Sequence, residues 1–185
     1  MTEAELRAAT VGELAAHDAP VTLVDYDPDW PRLYAREGQR IRGALGNRVV
    51  ALEHVGSTSV PGLAAKPIID ILLVVADSVD EAAYVPQLEG AGYVLRLREP
   101  GWFEHRMLKG PDTNANLHVL PRNCVEIERM IRFRDHLRSS DDDRQLYERT
   151  KRDLAVREWK YVQNYADAKS DVVGEIMRRA LPTGS

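Results

Sequence analysis

Between Ile68 and Ala76 the chain reads IIDILLVVA, an unbroken apolar run interrupted once, by Asp70. A strand with one wet face alternates apolar and polar residues, because successive side chains point to opposite sides. A strand that is apolar at nearly every position is covered on both faces. This run therefore predicts an interior strand of a sheet with helices or further layers on each side. It falls well short of the roughly 20 residues a membrane-crossing helix needs. The start of the chain, MTEAELRAATVGELAAHD, is acidic where a signal peptide is basic, so a cytoplasmic protein is expected.

The rest of the sequence supplies the partners such a strand requires. RVVALEHVG, YVLRLREPG, EHRMLKGP and NANLHVLP read as further strands, and VTLVDYDP as a short one closed by Asp-Pro. DWPRLYAREGQRIRGALG predicts a helix, with Asp29 as N-cap, Pro31 in the first turn, apolar residues at helical spacing and Gly46 as the stop. VDEAAYVPQLEGAG predicts a second helix begun or interrupted near Pro86. After Val125 the pattern becomes helical: VEIERMIRFRDHLRSS, then a long polar region divided near Asn164, with three aspartates after Ser139-Ser140 at a helix N-terminus. The fold class is α+β, a small mixed sheet with flanking helices followed by C-terminal helices. Residues 1–20 form an N-terminal arm, left open between a loose helix and a frayed segment. Residues 21–185 form a single domain, with its sheet core over about 21–124 and its helical part over about 125–181. At 185 residues one core is the expectation.

A net charge of −4 leaves any nucleic-acid or nucleotide site dependent on local basic residues, and nothing signals DNA or RNA binding. One cysteine, Cys124, excludes an intrachain disulfide and a multi-cysteine zinc site.

The densest chemistry lies in EHVGSTSVPGLAAKPIIDILLVV, residues 53–75. Gly56 permits close backbone approach, the hydroxyls of Ser57 and Thr58 and the loop amides offer donors suited to phosphate oxygens, and Lys66 adds a cation. Asp70 enters the next strand, placed to hold a divalent cation such as magnesium against those phosphates. The plainer alternative is a hairpin turn with Asp70 an edge residue. Asn116 and His118 share a face by alternation, whereas Glu53 and His54 point opposite ways. Arg106, Arg122, Arg132 and Arg134 could gather around a phosphate, and Tyr165 with Lys169, one helical turn apart, could close the site.

YDPDWPRLYAREGQRIRGALG, the 53–75 stretch, LHVL, RFRDHLR and YADAKSDVVGEI, in that order, resemble the GrpB family over roughly residues 21–181. The resemblance implies a fold similar to the nucleotidyltransferase superfamily of the DNA polymerase β type, in which a Gly-Ser binds phosphate and paired aspartates hold metal. It makes Gly56, Ser57, Thr58, Lys66, Arg134 and Lys169 the expected nucleotide-binding set. Asp70 and Glu53 become the expected Mg2+ ligands, with Asp70, His118 and Glu53 as catalytic groups. This chain departs from the pattern, since Asp70-Ile71-Leu72 keeps one carboxylate of the pair and Asn116 replaces the first histidine of a His-x-His. Three functions follow as expectations: a magnesium-dependent nucleotidyltransferase, a non-catalytic module for a nucleotide or phosphorylated small molecule, and an accessory domain to a partner enzyme such as dephospho-CoA kinase, to which GrpB-like domains are fused. No GxxxxGK[ST] loop is present, so the chain is not itself a P-loop kinase.

Overall fold

The computed structural model describes residues 2–13, 21–157, 159 and 161–180. Strands β1 (Ala51–Val55), β2 (Ile69–Val75), β3 (Val94–Glu99), β4 (His105–Lys109) and β5 (Ala115–Pro121) form one mixed sheet in the order β1-β2-β5-β4-β3. Only β2 and β5 run parallel. The apolar run is thus an interior strand, hydrogen-bonded to β1 and β5.

Its two faces meet different layers. Ile69, Ile71, Leu73 and Val75 join Leu117 and Val119 of β5 in the main core, under helices α2 (Trp30–Leu45) and α3 (Val85–Gly90), which contribute Trp30, Ile41, Leu45 and Leu88. Leu72 and Val74 face the other way, with Val55 and Leu120, against Ile127, Met130 and Ile131 of α4 (Val125–Ser139). Each fully buried aliphatic side chain contributes about 1.5–3 kcal/mol. Helix α5 (Asp141–Ala155) and helices α6 (Val162–Asp167) and α7 (Ser170–Arg179) follow, and Tyr147, Val172 and Ile176 of α5 and α7 join Leu137 of α4 in covering Val60 and Leu63 of the β1–β2 connection. Asp70 lies on the α4 side of β2, one alternation before Leu72.

Several expectations need correction. Residues 3–9 are a packed helix α1 (Glu3–Ala9), capped by Thr2 and Glu5, with Leu6 and Ala9 buried. Val11 donates its amide to the Arg96 carbonyl, so within the described residues the arm is docked on the β3 edge; residues 14–20 lie outside them. VTLVDYDP is no strand beyond a single bridge, Val24 to Ala65. Asp29 precedes α2 but makes no side-chain cap; its carboxylate binds Arg32 instead. The helical break falls before Tyr161 and not near Asn164, whose side chain accepts the Tyr161 amide at the start of α6. Ser140 does cap α5. No helix among the described residues is long and apolar enough to cross a membrane.

Candidate functional site

Gly56 ends β1 at φ 69° and ψ −175°, a region open essentially to glycine alone. A Cβ there would stand 2.5 Å from Asp70 Oδ2. The glycine bend and the aspartate therefore share one place, as the loop chemistry requires. Ser57, Thr58 and Ser59 make a single 3-10 turn, which swings successive side chains by about 120° and separates their roles. Ser57 Oγ meets Lys151 Nζ of α5 at 3.0 Å. Thr58 turns inward: its buried hydroxyl donates to the Ile68 carbonyl at 3.2 Å and contacts His54 Nε2 at 3.1 Å. Thr58 is accordingly a tie within the loop.

Asp70 is held from β5. Asn116 Nδ2 donates to its Oδ1 at 2.8 Å, and His118 Nε2 lies 3.5 Å from the same oxygen. Beyond His118 a further chain of contacts extends along the sheet surface. His118 Nδ1 and His105 Nε2 are 3.0 Å apart, and His105 Nδ1 meets Glu99 Oε2 at 2.7 Å. Burial pushes His105 below the usual histidine value, an effect the Glu99 carboxylate partly offsets. Burial also acts to raise Asp70, but the bonds from His118 and Asn116 hold its carboxyl below the usual range.

Three lysines act on this carboxylate, and a fourth acts on one of them. Lys66, Lys109 and Lys169 interact electrostatically with Asp70, and Lys151 with Lys169. Lys66 and Lys169 both sit over the Tyr165 ring, 5.0 and 4.8 Å from its centroid. Burial, aided by the neighbouring Lys169 charge, pushes Lys66 down to about 8 and Lys151 down to about 7. Lys109 and Lys169 are lowered by burial as well. Among the described residues the buried Tyr165 hydroxyl has no hydrogen-bond partner.

Other expected members are elsewhere. Glu53 projects from the same face as Asp70, but opposite Leu72, and its carboxylate is taken by Arg134 at 2.8 Å. Arg134 also donates to the His54 carbonyl and to Asp135, so it binds α4 to β1 and is not turned to the lysine cluster. Arg106 pairs with Glu81 on the opposite side of the sheet, and Arg132 with Glu128 on its own helix. Arg106, Arg132 and Arg134 therefore do not converge. Among the described residues no three His, Cys, Asp or Glu side chains are grouped so as to hold a metal ion. One carboxylate ringed by ammonium groups is a donor set for anions, and it does not fit Mg2+ held between Asp70 and Glu53.

Sequence reasoning missed Lys109, Lys151, His105 and Glu99. Alternation along β4 puts His105, Met107 and Lys109 on one face, a signal visible in EHRMLKGP, but its use needs the register of β4 on β5. Lys151 arrives from α5, 94 residues after Ser57, with no local signal.

The chain is similar to a wider group of proteins. Residues 20–179 match the family described as GrpB protein. A UPF0157 protein of Halalkalibacterium halodurans is 62% identical over 98% of this chain and 93% of its own. The crystal structure of conserved protein GrpB from Enterococcus faecalis superposes with a TM-score of 0.76 at 30% identity, covering 86% of this chain and 96% of that one. A dephospho-CoA kinase of Mycolicibacterium paratuberculosis is 42% identical over only 40% of this chain and 19% of its own. With the match extending from the residues before β1 to the end of α7, the chain belongs to the GrpB family.

Proposed function

We propose that the lysine cluster binds the phosphate groups of a nucleotide or of another phosphorylated small molecule, within a nucleotidyltransferase-like domain that transfers a nucleotidyl group to a small acceptor. The observation that carries the reading is the gathering of Lys66, Lys109 and Lys169 about Asp70, which itself abuts Gly56, with Lys151 beside Lys169 and bonded to Ser57. Holding four amines at the edge of the core costs free energy, and a bound anion offsets that cost by favouring their charged forms. The lysines supply the charge neutralisation that phosphoryl transfer demands, so the protein needs no metal of its own for binding. His118, whose two ring nitrogens face His105 and Asp70, positions the Asp70 carboxylate beside the anion.

The test is a thermal-shift panel of pyrophosphate and nucleoside triphosphates with and without magnesium, since a ligand that binds only the folded chain raises its apparent stability. Stabilisation by pyrophosphate in a chelator, abolished in a Lys66→Met and Lys169→Met double variant, is the expected result. A uniform absence of shift overturns the reading.

A second reading, the accessory domain, is favoured by the partial likeness to dephospho-CoA kinase. Co-elution with that enzyme, without stabilisation by any phosphate compound, would select it.

A further inference from the structure

Lys151 is 2% exposed, and its two hydrogen-bond partners, the Ser57 hydroxyl and the Ala64 carbonyl, are both neutral. A charged ammonium in that place is poorly compensated, because a buried cation needs a carboxylate or several strong acceptors. Nζ donates to the Ala64 carbonyl and to Ser57 Oγ, and once the amine is neutral its lone pair can take the Ser57 hydroxyl proton in place of the second bond. The Ala64 bond orients the amine beside Ser57. A nucleophile in hydrogen-bond contact with a base that a third group orients is the arrangement by which an otherwise weak hydroxyl is activated. Ser57 is half-buried and so reachable, and it follows Gly56, which keeps the approach open.

The geometry points to Ser57 and Lys151 as a nucleophile and base that form a covalent serine adduct with an electrophilic phosphoryl centre. The choice of phosphorus as the electrophile rests on the phosphate-binding reading above; the pairing of hydroxyl and amine does not. In the step, Ser57 Oγ forms a bond to phosphorus while its proton passes to Lys151 Nζ. The bond from phosphorus to the leaving oxygen breaks with its electron pair, and the departing anion is neutralised by Lys66 and Lys169. Lys151 then returns its proton to the leaving group. The acceptor discharges the serine ester in a second step, so one difficult transfer becomes two.

The proton affinity of Lys151 is set by burial first, then by Lys169 from the α6–α7 connection and by Glu148 and Arg152 on its own helix. Ser57 and Ala64 from the loop and Tyr147 from α5 are the other groups facing it. Burial lowers it to about 7, which makes the free amine available near neutrality.

The experiment treats the full chain with a fluorophosphonate, a phosphorus electrophile that releases fluoride, and follows intact mass with peptide mapping. A single adduct on Ser57 is expected, absent in Ser57→Ala. Labelling should be at least tenfold slower in Lys151→Met, whose side chain is of similar length and suits a buried site. In the wild-type protein the labelling rate should rise between pH 6 and pH 8. No adduct on Ser57, or an equal rate in Lys151→Met, or a rate without pH dependence, overturns the pairing. If Lys151→Met fails to fold, the wild-type pH profile and Ser57→Ala decide. Stabilisation by pyrophosphate is measured in parallel. A protein that pyrophosphate stabilises but whose Ser57 is inert keeps the anion site and loses the nucleophile, and the converse pattern does the reverse.

Discussion

Replacing Gly56 with alanine tests whether the loop bend and Asp70 are a single unit. The substitution carries two costs that can be separated. The first is backbone strain, because φ 69° with ψ −175° suits glycine alone, a penalty of about 1–3 kcal/mol. The second is collision: the new Cβ would stand 2.5 Å from Asp70 Oδ2 and 3.1 Å from Cγ, which forces the carboxylate away from its 2.8 Å bond with Asn116. Losing a hydrogen bond to a charged group adds about 1.5–3 kcal/mol, for a total of about 2.5–6 kcal/mol. Urea unfolding of the four members of a double-mutant cycle, Gly56→Ala with and without Asp70→Ala, isolates the second part. Asp70→Ala leaves only a Cβ contact of 3.0 Å, which a small shift relieves, so the coupling should be about 1.5–3 kcal/mol. Gly62→Ala, at φ 77° with open space around it, provides the strain-only control. A cost for Gly56→Ala that is the same in both backgrounds, to within about 0.5 kcal/mol, would refute the placement of Asp70 against the bend.

Three further outcomes follow from the site's surroundings. Thr58→Val should cost about 1–3 kcal/mol in urea unfolding, because the Ile68 carbonyl and His54 lose their partner; any stabilisation by pyrophosphate should persist, and its loss would restore Thr58 to the ligand set. Arg134→Met, which strands Glu53 and the His54 carbonyl, should cost about 3 kcal/mol with the same retention of the pyrophosphate shift. Asp143 is held below the usual carboxylate range first by Arg179 and then by His136, against the opposing effect of burial. Its contribution is thus present above an unfolded value of about 3.9 and is lost as pH falls through the lower folded value. Asp143→Asn should flatten the acid limb of a stability curve measured from pH 2 to pH 7, and an unchanged limb would contradict the assignment.

The sequence announces the sheet because its strongest pattern is local. A run such as Ile71 to Val75 can be apolar throughout only where both sides are covered, and β2 lies between β1 and β5 with helical layers on each face. Alternation likewise places Asn116 and His118 together, and both reach Asp70. What local pattern leaves undetermined is which way a turn faces and what arrives from afar. Ser57 and Thr58 are neighbours with like chemistry, yet a 3-10 turn sends one to Lys151 and the other to Ile68. Arg134 sits in a family-like motif, but Glu53 falls on the α4 side of β1 and occupies it. Lys151 and Lys169 come from helices beyond residue 140, whose register against the β1–β2 loop depends on the packing of Leu137, Tyr147 and Ile176 under Val60 and Leu63.

The role of Asp70 is where a metal-held site and an ammonium-held site predict opposite results. In the first, the carboxylate is a ligand, and Asp70→Asn removes phosphate binding together with the cation. In the second, the carboxylate repels an incoming phosphate and is tolerated because it eases the mutual repulsion of Lys66, Lys109 and Lys169. An asparagine keeps an oxygen to accept from Asn116 while removing the charge, so the local structure is retained. A measurement at pH 6 favours the protonated amines, since Lys66 and Lys151 lie at about 8 and about 7 in the wild-type chain. Removing one unfavourable charge from such a site is worth about 0.5–2 kcal/mol, or about two- to thirtyfold in affinity. Calorimetric titration with pyrophosphate in a chelator at pH 6 should therefore show Asp70→Asn binding more tightly than the wild-type chain. At higher pH the gain should shrink, because without the aspartate the lysines release their protons more readily. Weaker binding by Asp70→Asn at pH 6, restored to the wild-type chain alone by magnesium, would return the carboxylate to the metal and overturn the ammonium account.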